Sequence, residues 1–175
     1  GLYRKPDYYA VKVPVFSFEK LMDVDTHLGP EMKSTGEVLG IAKTREEAIF
    51  KGMVAAGWKM IHPALAKKGE PTGVLFSVRK SDRPELPALA KKYSDLGFTL
   101  YATEGNADTI ERSGMKVTKV NKVHENYKEN VMTLLESGKI CYVISTSAKG
   151  RDPSSESVRL RRLAVEHDID CLTAI

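Results

Sequence analysis

Short apolar runs recur between Gly73 and the carboxyl terminus, and helical patterns separate them. Each run is rich in β-branched or aromatic side chains, which is typical of buried strands. The predicted strands are Gly73–Arg79, Phe98–Thr103, Met115–Val120, Ile140–Ser145 and Asp168–Ile175. Strands that alternate with helices form parallel βαβ units. The pattern therefore predicts an α/β fold, a three-layer sandwich with a five-stranded parallel sheet.

Four helices are predicted between these strands. The first is expected to begin with Asp82 as its cap and Pro84 in its first turn. Its apolar face consists of Leu86, Leu89, Ala90, Tyr93 and Leu96. The others are a short helix over Asp108–Arg112, one marked by Val131–Leu135, and one marked by Leu160–Ala164. In the last helix we expect three arginines, Arg159, Arg161 and Arg162, on the solvent face.

The first 72 residues follow a different pattern. Tyr8–Phe18 is predicted to be an edge strand, and residues 23–40 are polar and rich in turn formers. Thr44 and Glu47 form a capping-box motif at the start of a helix that ends near Gly57. One strand and one helix cannot bury much apolar surface alone. This extension is therefore expected to pack on the α/β domain or to belong to a larger protein.

The segment FTLYATEGNAD, Phe98–Asp108, carries the clearest functional signal. A strand stops at Thr103, a polar turn follows at residues 104–106, and a helix opens behind it. Such a turn presents N–H groups and a hydroxyl at a positive helix end, beyond the carboxyl ends of the strands. The loops expected at this edge are Lys80–Arg83, Thr103–Asn106, Asn121–Asn130 and Ser145–Ser155. They predict a site for a small anion.

Composition narrows the class of ligand. The net charge of +4 is mild and its cations are mixed with acidic residues, so no nucleic-acid partner is expected. No apolar run is long enough to span a bilayer, so no membrane partner is expected either. Cys141 and Cys171 are interpreted as buried free thiols of a cytoplasmic protein. The scattered His27, His62 and His167 do not suggest a metal site.

Several motifs, in the same order, resemble landmarks of one known family. They are GPEMKSTGEVLG at Gly29–Gly40, then SVRKSDRPEL, LYATEGNAD, VNKVHE and RLRRLAVEHDIDCLT. Together they resemble the C-terminal part of the carbamoyl-phosphate synthase large subunit. The resemblance implies residues 1–40 as the tail of an ATP-grasp domain, 41–72 as a connecting helix and linker, and 73–175 as a methylglyoxal-synthase-like allosteric domain.

The resemblance also implies a regulatory role. The domain would bind UMP, IMP or another phosphorylated effector and tune carbamoyl phosphate synthesis for pyrimidine and arginine biosynthesis. Its partners would be the rest of the large subunit and the glutaminase small subunit, with a possible homo-oligomer. The parent ligase would use ATP with Mg²⁺ or Mn²⁺, and no cofactor is expected in this fragment.

The family's effector residues carry over to seven positions. Arg83 supplies a cation after the first strand, while Thr103 and the lysine of the NKVHE motif, Lys122, match the family pattern. Asn106 stands where the family often has threonine. After the fourth strand, the family's Asn-Thr-Thr is replaced by Ser145, Thr146 and Ser147. The resemblance therefore implies phosphate at Arg83, Thr103 and Lys122, with the other four residues near the sugar or base.

Two other functions are open at the level of the sequence. One is a methylglyoxal synthase-type lyase acting on dihydroxyacetone phosphate, which needs a carboxylate as base. Its aspartate-bearing loop would fall at Tyr127–Asn130, read YKEN, and its later aspartate is replaced by Ser147. Catalysis is therefore not expected, and His124 is interpreted as a loop imidazole. The other alternative is an effector-blind interdomain or oligomerisation module.

Overall fold

The chain forms two compact units, Gly1–Met60 and Ile61–Ile175. The computed structural model describes residues 6–15, 36–121, 130–146 and 156–173. Within these residues, no helix combines the length and the apolar character needed to cross a bilayer. In the same ranges, no three His, Cys, Asp or Glu side chains cluster as metal ligands would.

The amino-terminal unit contains a hairpin and one helix. Strands β1 (Tyr9–Val15) and β2 (Gly36–Ala42) pair in antiparallel orientation, with Val13 opposite Val38. Helix α1 (Arg45–Ala55) follows. The sequence did not predict β2, because its glycines and the polar residues before it hid the alternation of buried and exposed positions.

Helix α1 begins at the predicted cap. Thr44 Oγ1 accepts a hydrogen bond from the Glu47 N–H at 3.3 Å, so the predicted N-cap is confirmed. The Glu47 carboxylate pairs with Lys51 Nζ at 3.0 Å, one helical turn further on. Glu47 therefore supports the exposed face of the helix through an i,i+4 ion pair.

The second unit contains the predicted five-stranded parallel sheet, which is confirmed. Its strands stand in the order β5-β4-β3-β6-β7, and all four strand pairs are parallel. In chain order they are β3 (Gly73–Ser77), β4 (Thr99–Thr103), β5 (Thr118–Val120), β6 (Ile140–Ser145) and β7 (Asp170–Leu172). β6 has the predicted bounds, whereas β5 is three residues shorter than predicted.

Helices cover both faces of this sheet. They are a 3₁₀ helix (Lys80–Glu85), α2 (Leu86–Asp95), α3 (Glu104–Glu111), α4 (Val131–Glu136) and α5 (Glu156–Glu166). One core contains Phe76, Leu86 and Ile110, and the other contains Leu75, Leu135 and Leu160. Because neighbouring residues of β3 enter opposite cores, the sheet is buried on both faces, as a parallel sheet requires.

Three local predictions were wrong. Asp82 does not cap α2, because it lies inside the 3₁₀ helix and its carboxylate binds Arg79. Leu96 is 49% exposed, because α2 ends at Asp95. Arg161 is only 2% exposed, whereas Arg159 and Arg162 are exposed as predicted. Arg161 follows the buried Leu160 on α5 and lies close enough to Cys171 for its charge to act on that thiol.

The start of helix α3 also differs from the prediction. The sequence suggested a turn at residues 104–106 and a helix from Asp108, but α3 begins at Glu104, directly after β4. Thr103 occupies the N-cap position with extended backbone angles, φ −67° and ψ 155°. The polar residues after the strand are therefore the first turn of a helix, which fixes their side chains on a regular scaffold.

Candidate functional site

Hydroxyl-bearing residues end three adjacent strands of the sheet. Ser145 pairs with Ser77 in the β6–β3 register, and Thr103 comes one residue after Ala102, which pairs with Phe76. Thr103, Ser77 and Ser145 therefore lie at the same level, at the carboxyl ends of three adjacent strands. Because side chains alternate along a strand, all three belong to the same face. The fold brings these groups to the edge where parallel sheets bind ligands.

Thr103 and Asn106 form a buried pair at the start of α3. They are 4% and 2% exposed, and Asn106 Nδ2 donates a hydrogen bond to Thr103 Oγ1 at 2.8 Å. The Asn106 amide oxygen is buried and has no hydrogen-bond partner among the described residues. An unpaired buried polar atom typically costs about 1–3 kcal/mol. The folded protein keeps this unpaired oxygen in the first turn of α3 in spite of that cost.

Ser145, the last residue of β6, also has a buried polar atom without a hydrogen-bond partner in the described ranges. It is fully buried, and its Oγ has no hydrogen-bond partner in the described part of the chain. Its neighbour Thr146 is 8% exposed, but the Thr146 hydroxyl accepts a hydrogen bond from the Arg79 N–H at 3.1 Å. The two consecutive hydroxyls therefore differ, because only that of Thr146 is used to hold the protein together.

Arg83 lies directly against the first turn of α3. A Cβ built on Gly105 would stand 2.6 Å from both Nη1 and Nη2 of Arg83, so the guanidinium occupies the space beside this glycine. The buried Nε of Arg83 has no hydrogen-bond partner among the described residues. The side chain of Thr103, the N-cap residue, makes no capping hydrogen bond to α3. A guanidinium therefore lies beside the positive end of a helix, and an anion that reached both would be attracted by both.

The 3₁₀ helix that carries Arg83 is tied to β6 through the preceding residue. Asp82 accepts two hydrogen bonds of 2.8 Å from Arg79 Nε and one of 2.9 Å from Ser81. Hydrogen bonds, first from Thr146 and then from Arg79, hold the pKa of Asp82 below its usual value. The adjacent residues Asp82 and Arg83 thus connect the end of β6 with the start of α3.

A second ion pair lies on α3 itself. Asp108 accepts from Lys119 Nζ of β5 at 2.9 Å, and this hydrogen bond is the main reason why the pKa of Asp108 is lowered. The charge of Arg83 adds a smaller contribution in the same direction. The Lys119 ammonium also comes within 4.0 Å of Glu104. The lowered pKa favours the ionised form of the Asp108 carboxylate.

A family model described as "MGS-like domain" matches residues 85–173, just over half of the 175-residue chain. The chain belongs to the MGS-like domain family. Six of the seven predicted site residues lie inside the matched range, and the seventh, Arg83, lies two residues before it. Among solved structures, this chain is similar to methylglyoxal synthase from Elizabethkingia anophelis NUHP1, with 15% identity and a TM-score of 0.47. That match covers 59% of this chain and 72% of the other.

The MGS-like domain brings the predicted site residues together in two groups. Arg83, Thr103 and Asn106 surround the first turn of α3, while Ser145 and Thr146 end β6. Lys122 and Ser147 lie outside the described residues, as do His124 and most of the Tyr127–Asn130 segment. The prediction that all seven residues bind an effector stays a prediction.

Sequence reasoning missed two contributors to this edge. Gly105 gives Arg83 the space to lie on α3, and Asp82 with Arg79 holds the 3₁₀ helix against Thr146. The glycine stood within a recognised motif, so it could have been found by asking why no side chain is present there. The Asp82–Thr146 contact joins residues far apart in the chain, and no local pattern indicates it.

Proposed function

We propose that this chain is the effector-binding C-terminal part of a carbamoyl-phosphate synthase large subunit. The carboxyl edge of its parallel sheet would bind a phosphorylated effector, such as UMP or IMP. The observation that carries this proposal is the Arg83 guanidinium, which lies against the first turn of α3 with its Nε unpaired among the described residues; the Thr103 side chain does not cap that turn. An oxyanion that touched both groups would accept hydrogen bonds from each of them.

The electrostatics of the two partners favour phosphate. The first turn of a helix carries about half a positive charge and directs N–H groups outward. A guanidinium presents its donors in a planar fork that matches two phosphate oxygens. A phosphate that contacted both groups would accept hydrogen bonds from both, so the two attractions would add.

The hydroxyl groups at this edge have two different proposed roles, which are to bind the ligand and to hold the 3₁₀ helix in place. Thr103 and Ser145 are buried at the sheet edge, and the Ser145 hydroxyl has no other partner among the described residues, so we assign both to the ligand. Thr146 holds the 3₁₀ helix through Arg79 and Asp82, so we assign it a positioning role. Lys122 and Ser147 enter the proposal only through the sequence resemblance.

The carboxylates described at this edge favour regulation over catalysis. A base that removes a carbon-bound proton works best with a pKa near the working pH. Asp82 and Asp108 instead have lowered pKa values, because Thr146 and Arg79 hold the first and Lys119 holds the second. The proposed mechanism is therefore allosteric: an effector that binds one arrangement of the parent enzyme more tightly shifts its activity, typically by about 1–3 kcal/mol.

The wider assignment follows the sequence motifs. Residues 1–40 would be the tail of an ATP-grasp domain, 41–72 a connecting segment and 73–175 the allosteric domain. The partners would be the remainder of the large subunit and a glutaminase subunit. Synthesis of carbamoyl phosphate from ATP would take place in that remainder.

Calorimetric titration of the 175-residue chain with UMP, IMP and inorganic phosphate tests the proposal. We expect at least one nucleotide to bind, and Arg83→Gln to weaken binding about tenfold or more, because a charge-assisted hydrogen bond is lost. Lys91→Gln is the matched control, since Lys91 is an exposed cation paired with Asp95 on α2. No binding by any of the three ligands, or equal binding by both variants, would contradict the proposed site.

A turnover assay with dihydroxyacetone phosphate tests the alternative function, that of a methylglyoxal synthase-type lyase. Dihydroxyacetone phosphate should not be turned over by the chain, because the carboxylates described at the site are ion-paired. Sustained release of methylglyoxal and phosphate, lost in Arg83→Gln and kept in Lys91→Gln, would replace regulation by catalysis as the function of this edge.

A further inference from the structure

The Asn106 side chain offers an acceptor where an anion site needs donors. Its Nδ2 is engaged with Thr103 Oγ1 at 2.8 Å, and its Oδ1 is buried with no hydrogen-bond partner among the described residues. Asn106 is the third residue of α3, and Gly105 beside it is covered by the Arg83 guanidinium. A buried acceptor therefore lies in the same helical turn as the strongest anion-attracting groups of this edge.

The amide oxygen changes which anions this turn accepts. A fully ionised oxyanion has only acceptor oxygens, and such an oxygen placed against Oδ1 would leave two acceptors facing each other without a proton. A ligand that carries an O–H or N–H beside its negative charge would instead donate to Oδ1. It would pair the atom that the folded protein leaves buried and unpaired.

We propose that Asn106 is a specificity-determining residue that selects an anion with its own hydrogen-bond donor. The ligand class is a phosphate that retains a proton, or a phosphate ester with a hydroxyl or N–H within reach of Oδ1. Anions without a proton bind more weakly. This inference rests on the proposed function, because it requires that the turn beside Arg83 binds an oxyanion.

Phosphate and sulfate are the matched probes for this selection. In mildly alkaline buffer both are tetrahedral and carry two negative charges, but only phosphate has an O–H. We expect the 175-residue chain to bind inorganic phosphate about tenfold or more tightly than sulfate in parallel calorimetric titrations, the effect of one hydrogen bond at a charged group. Arg83 and the helix end attract the two anions about equally, so their contribution cancels in the ratio of phosphate affinity to sulfate affinity.

Two substitutions at Asn106 test the role of the amide oxygen. Asn106→Thr replaces the carbonyl by a hydroxyl that can donate, so sulfate affinity should rise to within about threefold of phosphate affinity. Asn106→Asp places acceptor oxygens at both positions of the side chain and leaves it no N–H donor. It should weaken sulfate binding more than phosphate binding. Ser113→Asp is the control, because it adds the same charge at an exposed position beyond the end of α3.

The outcomes separate this inference from the proposed function. Selection of phosphate in the wild-type chain that disappears in Asn106→Thr supports both. Equal affinity for the two anions, or selection unchanged in Asn106→Thr, overturns the role of Asn106 and leaves the anion site in place. If neither anion binds and the nucleotides do not bind either, the proposed function fails and this inference fails with it. Circular dichroism and thermal melting of each variant exclude unfolding as the cause.

Discussion

The two ends of the parallel sheet differ in how they treat their polar groups. At the amino end, the Gly73 N–H donates to the Lys139 carbonyl at 2.8 Å, and Cys141 Sγ donates to the Gly73 carbonyl at 3.2 Å. At the carboxyl end, buried atoms of Arg83, Asn106 and Ser145 have no hydrogen-bond partner among the described residues. The polar groups named at the amino end are thus paired within the protein, whereas those named at the carboxyl end are buried and unpaired within the described ranges.

The size of a cleft does not reveal this difference. A cleft of about 280 Å³ opens at the amino end, lined by Gly69–Gly73, Thr99, Tyr101 and Ser137–Lys139. Yet backbone groups in its lining are paired with each other, as Gly73 is with Lys139 and Thr99 with Thr72. A buried atom without a partner points to a ligand more directly than an open volume does, because only the first carries an energetic cost that binding would remove.

The largest effect on stability is expected from Gly73→Ala at the amino end. The added Cβ would stand 2.6 Å from the Lys139 carbonyl oxygen and 2.9 Å from side-chain atoms of Ile140 and Tyr101. Because a backbone atom cannot move aside easily, we expect the free energy of unfolding in urea to fall by about 1–3 kcal/mol. A value equal to wild type would show that this end is less tightly packed than the structure indicates.

Gly105→Ala, at the carboxyl end, should separate binding from stability. Its Cβ would stand 2.6 Å from the Arg83 guanidinium, which is the far end of a flexible side chain and can swing away. Replacing a helical glycine stabilises by about 0.5–1 kcal/mol, so the unfolding free energy should stay equal or rise. Phosphate binding should fall about tenfold, since Arg83 is displaced. Unimpaired binding by a stable Gly105→Ala chain would contradict the role of Arg83.

Ser145→Ala and Thr146→Val should change stability in opposite directions. The first removes a buried hydroxyl that has no partner among the described residues, so unfolding free energy should rise by about 1 kcal/mol while ligand binding weakens. The second deprives the Arg79 N–H and Asp82 of a partner and should cost about 1–2 kcal/mol. Chemical denaturation of both variants measures the contrast, and equal losses would remove the distinction between the two hydroxyls.

The smallest expected effect concerns alkaline pH at the amino end. Burial raises the pKa of the Cys141 thiol to about 11, above its value in the unfolded chain. Above the unfolded pKa, the unfolded state has lost this proton and the folded state has not. Stability is therefore complete below the unfolded pKa and decreases as pH rises towards about 11. The slope of unfolding free energy against pH should be shallower in Cys141→Ala, and an unchanged slope would assign the effect to other groups.

The sequence predicted the sheet because its signal is local. Each apolar run from Gly73 onwards is long enough to identify a buried strand, and its alternation with helical patterns determines the parallel order. β2 was missed because Gly36, Gly40 and the preceding polar residues obscured its pattern. The start of α3 was misplaced because Gly105 and Asn106 favour turns in isolation, whereas here tertiary packing keeps them helical.

The candidate site was only partly accessible to sequence reasoning. The resemblance supplied Thr103, Asn106 and Arg83 as separate positions, but not that Arg83 lies on Gly105 or that Asn106 binds Thr103. Those contacts depend on how α3 packs beside the 3₁₀ helix. The burial of Arg161 was missed for the same reason, because a charged residue on a basic helix is usually exposed.

The contact between Arg83 and Gly105 has an evolutionary consequence. A side chain at position 105 and an arginine in this pose at position 83 exclude each other, since the built Cβ and the guanidinium would be 2.6 Å apart. A lineage that gains a larger residue at 105 must therefore move the Arg83 guanidinium out of this pose. A descendant that has lost the glycine should therefore also have lost this position of the Arg83 guanidinium.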